Sequence, residues 1–235
     1  MYVTLNGVAR RAETKRTPLT RERVLSAAVG LADAEGIEAL SMRRLGQELG
    51  VEAMSLYNHV ANKDDLLDGI VELILNEIEL PSGEEHWKGA VRRTAVSAHD
   101  VLVRHPWACN LALSPTRNVP FRMRYMEWLL GRLREAGVSA EATYHGYHAL
   151  DSHIMGFTLW ELSHELDRSD IEDLAATFLR DFPVDDYPYL AEHVQQHVTG
   201  FGRDGEGAFE LVLDLILEGL DPARVAESGR SPQPG

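Results

Sequence analysis

Apolar positions recur every three or four residues along most of this chain, and nowhere do they alternate as in a half-buried strand. Val24, Leu25, Ala28, Val29, Leu31 and Ala32 predict a first helix, with Thr20 as N-cap and Gly36 just past its end. Arg23 stands where a capping box would carry Glu or Gln, so half of that motif is missing. Ser41 caps a second, short helix with Leu45 and Leu49 on its buried face, and Gly50 closes it. A third short helix covers about residues 52–59. Asn62 caps a longer one reaching about residue 79, with Leu66, Leu67, Ile70, Val71, Ile74 and Ile78 at helical spacing, until Pro81, Ser82 and Gly83 break it.

The remainder reads as helical too. Helices are predicted over residues 87–104, ending before Pro106, and over 121–135, ending at Gly137. A long helix over 140–166, a short acidic one over 170–182, one near 189–198 and an apolar one over 208–220 follow. Residues 114–120 form a turn-rich loop, and the Gly-rich residues 200–207 a flexible connection. The expected organisation is a flexible basic arm (1–18), a first domain (19–65), a second domain (66–220, with 66–80 as connecting helix) and a disordered tail (221–235). The fold class is all-α.

Two short helices joined by a glycine turn form a helix-turn-helix, here at residues 40–59. The second helix turns Val51, Leu56 and Val60 inward. It leaves Ala53, Met54, Ser55, Tyr57, Asn58 and His59 outward, where a major groove admits a helix. Arg43, Arg44 and Lys63 flank it with positive charge. An ordinary helical hairpin with solvated charges is the competing reading.

The net charge of -14 over 235 residues at first argues against a nucleic-acid partner. Its distribution reverses that. Residues 1–63 carry nine Lys/Arg against seven Asp/Glu, while the rest carry 14 against 30. A basic head and an acidic body imply two tasks, with phosphate contacts expected from the arm and first helix. Cys109 is the single cysteine, which excludes an internal disulfide and a cysteine-based zinc site. The opening residues have no apolar signal segment and no run is long enough to span a membrane, so a cytoplasmic protein is expected.

The run over residues 21–67, with SMRRLGQELGVEAMSLYNHVANKDDLL at its heart, resembles the TetR family of one-component repressors. The matching features are Gly50-Val51, Leu56-Tyr57, His59-Val60, and Asn62-Lys63 followed by Leu66-Leu67. His105-Pro106-Trp107-Ala108, the run from Tyr147 to Asp151 with Gly156-Phe157, and residues 209–219 resemble the C-terminal domain of the tetracycline-repressor branch. The resemblance implies an N-terminal three-helix DNA-binding domain and a larger helical ligand-binding and dimerisation domain. It implies a homodimer on a palindromic operator, with recognition helices in successive grooves about 34–36 Å apart. Arg43 matches a base-contacting arginine. Ser55, Tyr57 and His59 match phosphate- or base-contacting positions, and Lys63 a backbone-contacting lysine. Ala53 and Met54 depart from polar base readers and offer apolar contacts only.

The resemblance also implies a small-molecule effector among the later helices. Candidate lining residues are His99, Val103, Trp107, Met123, Met126, Tyr147, His153 and Trp160. Plain core packing is the alternative for each. The tetracycline branch holds ligand-bound magnesium with a histidine that the corresponding residues 110–114 lack, so tetracycline–magnesium recognition is not expected. His145, His148 and Asp151 have metal-ligand spacing, but one helix supplies too few ligands. No metal or cofactor is expected. The apolar helix over 208–220 and the helix from Ala140 are expected to form a four-helix dimer interface through Tyr144, Phe209, Val212, Leu213, Ile216 and Leu217. Two further functions stay open: a helix-turn-helix activator or architectural protein without a ligand, and an all-α enzyme. The enzyme lacks a recognisable nucleophile–base pair, since the adjacent Asp151, Ser152 and His153 diverge on a helix and make no triad.

Overall fold

The computed structural model describes residues 18–222 apart from 84, 113, 115–118, 164–182, 184 and 201–206. The expected arm up to residue 17, the acidic helix over 170–182 and the tail beyond residue 222 lie outside the described residues. All regular structure among the described residues is helical.

The first helices form where the caps place them. Helix α1 (Arg21–Glu35) begins as Thr20 Oγ1 accepts the Arg23 N–H at 3.2 Å, and it ends at Gly36, φ 83°. A 3-10 turn (Ile37–Ala39) leads to α2 (Met42–Leu49), where Ser41 Oγ accepts from Arg44 N. Gly50 closes α2 in the left-handed conformation, φ 65°, which a side chain would strain. Helix α3 (Ala53–Leu56) is regular for one turn, shorter than the expected 52–59. Residues 57–59 continue as turns, bonded back to Ser55 O and Leu56 O. Asn62 caps α4 (Lys63–Leu75), and Asp65 answers by accepting from Ala61 N at 2.7 Å. This resembles a capping box, with the return bond taken from the residue before the N-cap.

The body consists of α5 (Trp87–Arg104), α6 (Pro106–Ala112), α7 (Pro120–Glu135), α8 (Ala140–Ser163), α9 (Pro188–Gly200) and α10 (Ala208–Gly219). Helix α6 fills residues the sequence pattern left unassigned between the helix over 87–104 and the loop over 114–120. Pro106 ends α5 yet opens the next helix, where its missing N–H costs nothing. Helices α5, α7, α8 and α10 pack around Leu102, Leu129, Leu133, Leu150 and Leu213. Lys88 pairs with Glu218 and Asp221, and Arg92 with Asp214, fastening α10 to α5. The linker after α4 is pinned by Trp128 and Arg132, both donating to Pro81 O.

One buried apolar cluster runs without a break from Val24 in α1 to Leu217 in α10. Helix α4 lies across it, packing on α1 at one side and on α5, α6 and α7 at the other.

Candidate nucleic-acid interface and effector cavity

The helix-turn-helix is held by a close backbone approach. A Cβ at Gly46 would sit 2.9 Å from Val51 O and 3.2 Å from Ala53 N, so α2 and α3 touch there without a side chain between them. Leu45, Leu56 and Val60 are fully buried beneath. The opposite face is open: Met54 is 72% exposed and Tyr57 45%, with Asn58 exposed and Ser55, Ala53 and His59 half-buried. Arg43 at the start of α2 and Lys63 at the start of α4 are exposed, with no hydrogen-bond or ion-pair partner among the described residues.

Arg44, expected among the DNA contacts, is paired within the head. Its guanidinium is bound by Glu35 of α1, at 2.5 Å, and by Glu48 one turn on, so it joins α1 to α2 inside the head. Arg21, counted in the basic segment, is likewise internal. It forms a bidentate pair with Asp65, at 2.7 and 3.0 Å, and donates to His59 O. That pairing holds Asp65 below the ordinary carboxylate range, with its bond from Ala61 N adding to the effect.

A cavity of about 70 Å³ lies between the end of α4 and helices α5, α6, α7 and α8. Leu75, Ile78, Leu102, Ile154 and Met155 make it mostly apolar, and Arg122, Tyr125, Tyr147 and Asp151 bring polar groups to it. Asp151 has no hydrogen bond or salt bridge among the described residues. Burial pushes its carboxyl up, while Arg122 and His148 oppose this through space. The same burial, together with Asp151, raises the hydroxyls of Tyr125 and Tyr147.

Of the eight residues expected at an effector, the structure brings only Tyr147 to this cavity. Trp107 is buried elsewhere, its Nε1–H donating to Asp33 of α1 at 2.6 Å. His99 and Val103 line a shallow outer groove beside Glu161. The rings of His99 and His153 stack on Phe209 at 4.3 and 4.6 Å, and His153 Nε2 lies 2.9 Å from Phe209 O, so both histidines dock α10. Met123, Met126 and Trp160 are exposed. The residues sequence reasoning missed include Asp151, Tyr125 and Arg122. The polar-within-apolar pattern at Asp151, a carboxylate one residue from the buried Leu150 on a long apolar helix, was the available signal.

The expected interface residues also divide. Phe209, Leu213 and Leu217 are at most 3% exposed within the single chain, so they belong to its own core and have no surface left to offer a partner. Tyr144 and Val212 are exposed and Ile216 half-buried, joined by Leu211 and Leu215, which are exposed as well. No cluster of metal-ligating side chains occurs among the described residues. No helix among them is long and apolar enough to cross a membrane.

A second contact joins head and body. His105, between α5 and α6, places Nδ1 2.8 Å from the same Asp33 oxygen that accepts from Trp107. Beside it, Arg104 pairs with Glu77 at 2.8 Å. At the other end, Glu72 of α4 accepts from Phe121 N at 2.8 Å and pairs with Arg124, tying α4 to the start of α7.

A helix-turn-helix head sharing one helix with a cavity-bearing helical body defines a ligand-responsive DNA-binding regulator. Two family models match the chain: "Bacterial regulatory proteins, tetR family" over residues 24–70, and "Tetracyclin repressor-like, C-terminal domain" over 80–223. An HTH-type transcriptional regulator of Saccharopolyspora erythraea is 32% identical over 205 residues, 86% of this chain and 84% of that one. The class D tetracycline repressor of Escherichia coli is 30% identical over 86% of this chain and 89% of its own. The repressor DrrR1 of Streptomyces coeruleorubidus is 36% identical, over 59% of this chain and 52% of its own length. Among solved structures, apo ActR of Streptomyces coelicolor superposes with a TM-score of 0.75 at 31% identity, covering 90% of this chain and 99% of that one. ActR with bound actinorhodin gives 0.73 at 32% identity, covering 87% and 97%. The chain belongs to the TetR family of transcriptional repressors, which are not enzymes.

Proposed function

We propose that this regulator binds a palindromic operator as a homodimer in the cytoplasm, and that a small-molecule effector in the α4–α8 cavity releases it. The observation that carries this reading is the position of α4. Leu66 and Ile70 belong to the apolar cluster shared with the head, while Leu75 and Ile78, near its other end, wall the cavity. A ligand that enlarges the cavity displaces the C-terminal end of α4 and, through a rigid helix, the recognition helix. The required differential affinity is the usual 1–3 kcal/mol or so of allosteric coupling.

In this reading Arg43 contacts base edges, Ser55, Tyr57, Asn58 and His59 contact bases or phosphates, and Lys63 contacts the backbone. Met54 and Ala53 supply apolar contact in the groove. The dimer forms through Tyr144, Val212 and Ile216, extended by the exposed Leu211 and Leu215 of α10. Residues 19–65 act as the DNA-binding unit and 66–220 as the sensing and dimerising unit.

Selection of binding sites from a random DNA pool, followed by light scattering of the free protein, tests the reading. A palindrome with half-sites one helical turn apart and a dimeric mass are expected. A stable monomer at micromolar concentration, or enrichment of no symmetric site, overturns it.

A further inference from the structure

We propose that the cavity takes a flat aromatic ligand carrying a basic amine, with the amine held by Asp151 and the rings lying among Phe121, Tyr125 and Tyr147. This rests on the cavity being the effector site. It goes further by naming the ligand's chemistry.

The lining sorts into an apolar floor, Arg122, and three polar groups without partners among the described residues. Leu75, Ile78, Leu102, Ile154 and Met155 accept only an apolar body. The Asp151 carboxyl and the hydroxyls of Tyr125 and Tyr147 have no hydrogen-bond partner among the described residues. An ionised carboxylate in apolar surroundings is costly unless a donor or counter-charge meets it. The nearby cation does not fill that role. Arg122 is exposed, and its Nη1 donates outward to Ser114 O at 2.9 Å. Arg122 lines the cavity and acts on Asp151 only through space, so the Asp151 carboxyl is left without a direct hydrogen-bonding or ion-pair partner among the described residues. An amine supplies both the charge and the N–H donors; an anionic ligand meets like charge, and a neutral one leaves the carboxylate uncompensated.

The aromatic part follows from the walls. The Phe121 and Tyr125 rings run nearly parallel, 11° apart with centroids at 6.3 Å, on α7, and Tyr147 lines the cavity from α8. Arg124 already lies over the Phe121 ring at 5.6 Å, and Tyr125 and Tyr147 add aromatic wall that favours flat π systems and cations alike. The surrounding field agrees: residues 64–235 carry 30 acidic against 14 basic side chains, which concentrates cations near this domain.

The volume of about 70 Å³ is far below the roughly 300–1,000 Å³ of a drug-sized site, so binding must enlarge the cavity. Met155, unbranched and adaptable, and the end of α4 are walls able to yield.

Three matched probes test the charge preference on the full chain by titration calorimetry: 9-(aminomethyl)anthracene, 9-anthracenemethanol and anthracene-9-carboxylate. The amine is expected to bind about tenfold or more tighter than either other compound. Asp151→Asn, nearly isosteric, is expected to bring the amine to the level of the alcohol without lowering the melting temperature. Leu102→Trp, which fills the cavity, is expected to weaken the amine strongly and so locate the site. Equal binding by all three, tighter carboxylate, no binding of the amine, or a preference that survives Asp151→Asn overturns the proposal. Operator release separates this from the function beneath it. Release by the alcohol or carboxylate leaves the effector reading standing and removes the amine. An amine that binds through Asp151 yet leaves operator affinity unchanged keeps the ligand class and removes the effector reading.

Discussion

In the head, every arginine that ties helices together is answered: Arg21 by Asp65 and His59 O, Arg44 by Glu35 and Glu48. In the cavity of the body, Asp151 and two tyrosine hydroxyls face an apolar space with no partner among the described residues. The head is a finished object, with local caps, a tight glycine contact and closed ion pairs. The proposed sensing region carries unfinished polar groups beside a small void. A surface that must fit one DNA groove gains from rigidity. A site that must respond to a ligand needs interactions that only the ligand completes.

Truncation should separate the two regions most sharply. Leu45→Ala removes a fully buried side chain beneath α3 and is expected to cost about 2–5 kcal/mol, with loss of operator binding. Met155→Ala at the cavity wall is expected to cost under about 2 kcal/mol, because the void already exists and the site is adaptable. Urea unfolding of both variants checks this; equal losses would break the contrast.

The head's two neighbouring arginines come next. Arg43→Ala is expected to weaken the operator by roughly 1–3 kcal/mol while leaving the melting temperature unchanged. Arg44→Ala should instead act through head stability, since its charge is already committed to Glu35 and Glu48. Fluorescence anisotropy on operator DNA, beside thermal melts, tells the two apart.

A pair of carboxylates gives opposite pH signatures. The Asp151 carboxyl is raised on folding, so stability falls as pH rises through the ordinary carboxylate range. Asp151→Asn is therefore expected to raise the melting temperature at neutral pH relative to the parent, and thermal melts across pH check it.

Asp65 behaves the other way and more weakly. Its folded value is lowered, so its contribution is complete above the unfolded carboxylate value and is lost as pH falls toward the folded one. Being half-exposed and screened, the Arg21–Asp65 pair is expected to contribute under about 1 kcal/mol. Arg21→Gln should be mildly destabilised at pH 7 and close to the parent in acid. A constant difference at all pH values would show that the pair stabilises through packing instead.

The joint between the regions is where neither description suffices alone. Asp33 of α1 accepts from Trp107 and lies against His105, so the first helix of the head is held by the body as well as by α4. Asp33→Asn is expected to leave operator and effector affinities near their parent values when each is measured separately. The coupling between them should fall by part of its roughly 1–3 kcal/mol. Operator titrations with and without saturating effector measure it.

What the sequence by itself determined is the local layer: Thr20, Ser41 and Asn62 as caps, Gly36 and Gly50 as stops, and Leu45, Leu56 and Val60 as the buried side of the helix-turn-helix. Those features act over three or four residues, a range that spacing alone encodes. Pro106 shows the limit even there, because one proline both ended α5 and began α6. Partners far apart in the chain were decided only by the tertiary structure. It assigned Arg44 to Glu35, Trp107 to Asp33, and His99 and His153 to Phe209, and it chose which face of α10 the core consumed. The residues around Asp151 come from five helices, and helical periodicity marks which side of each is apolar without saying which sides meet. Periodicity is a property of one helix; a cavity is a property of the space left where several fail to close.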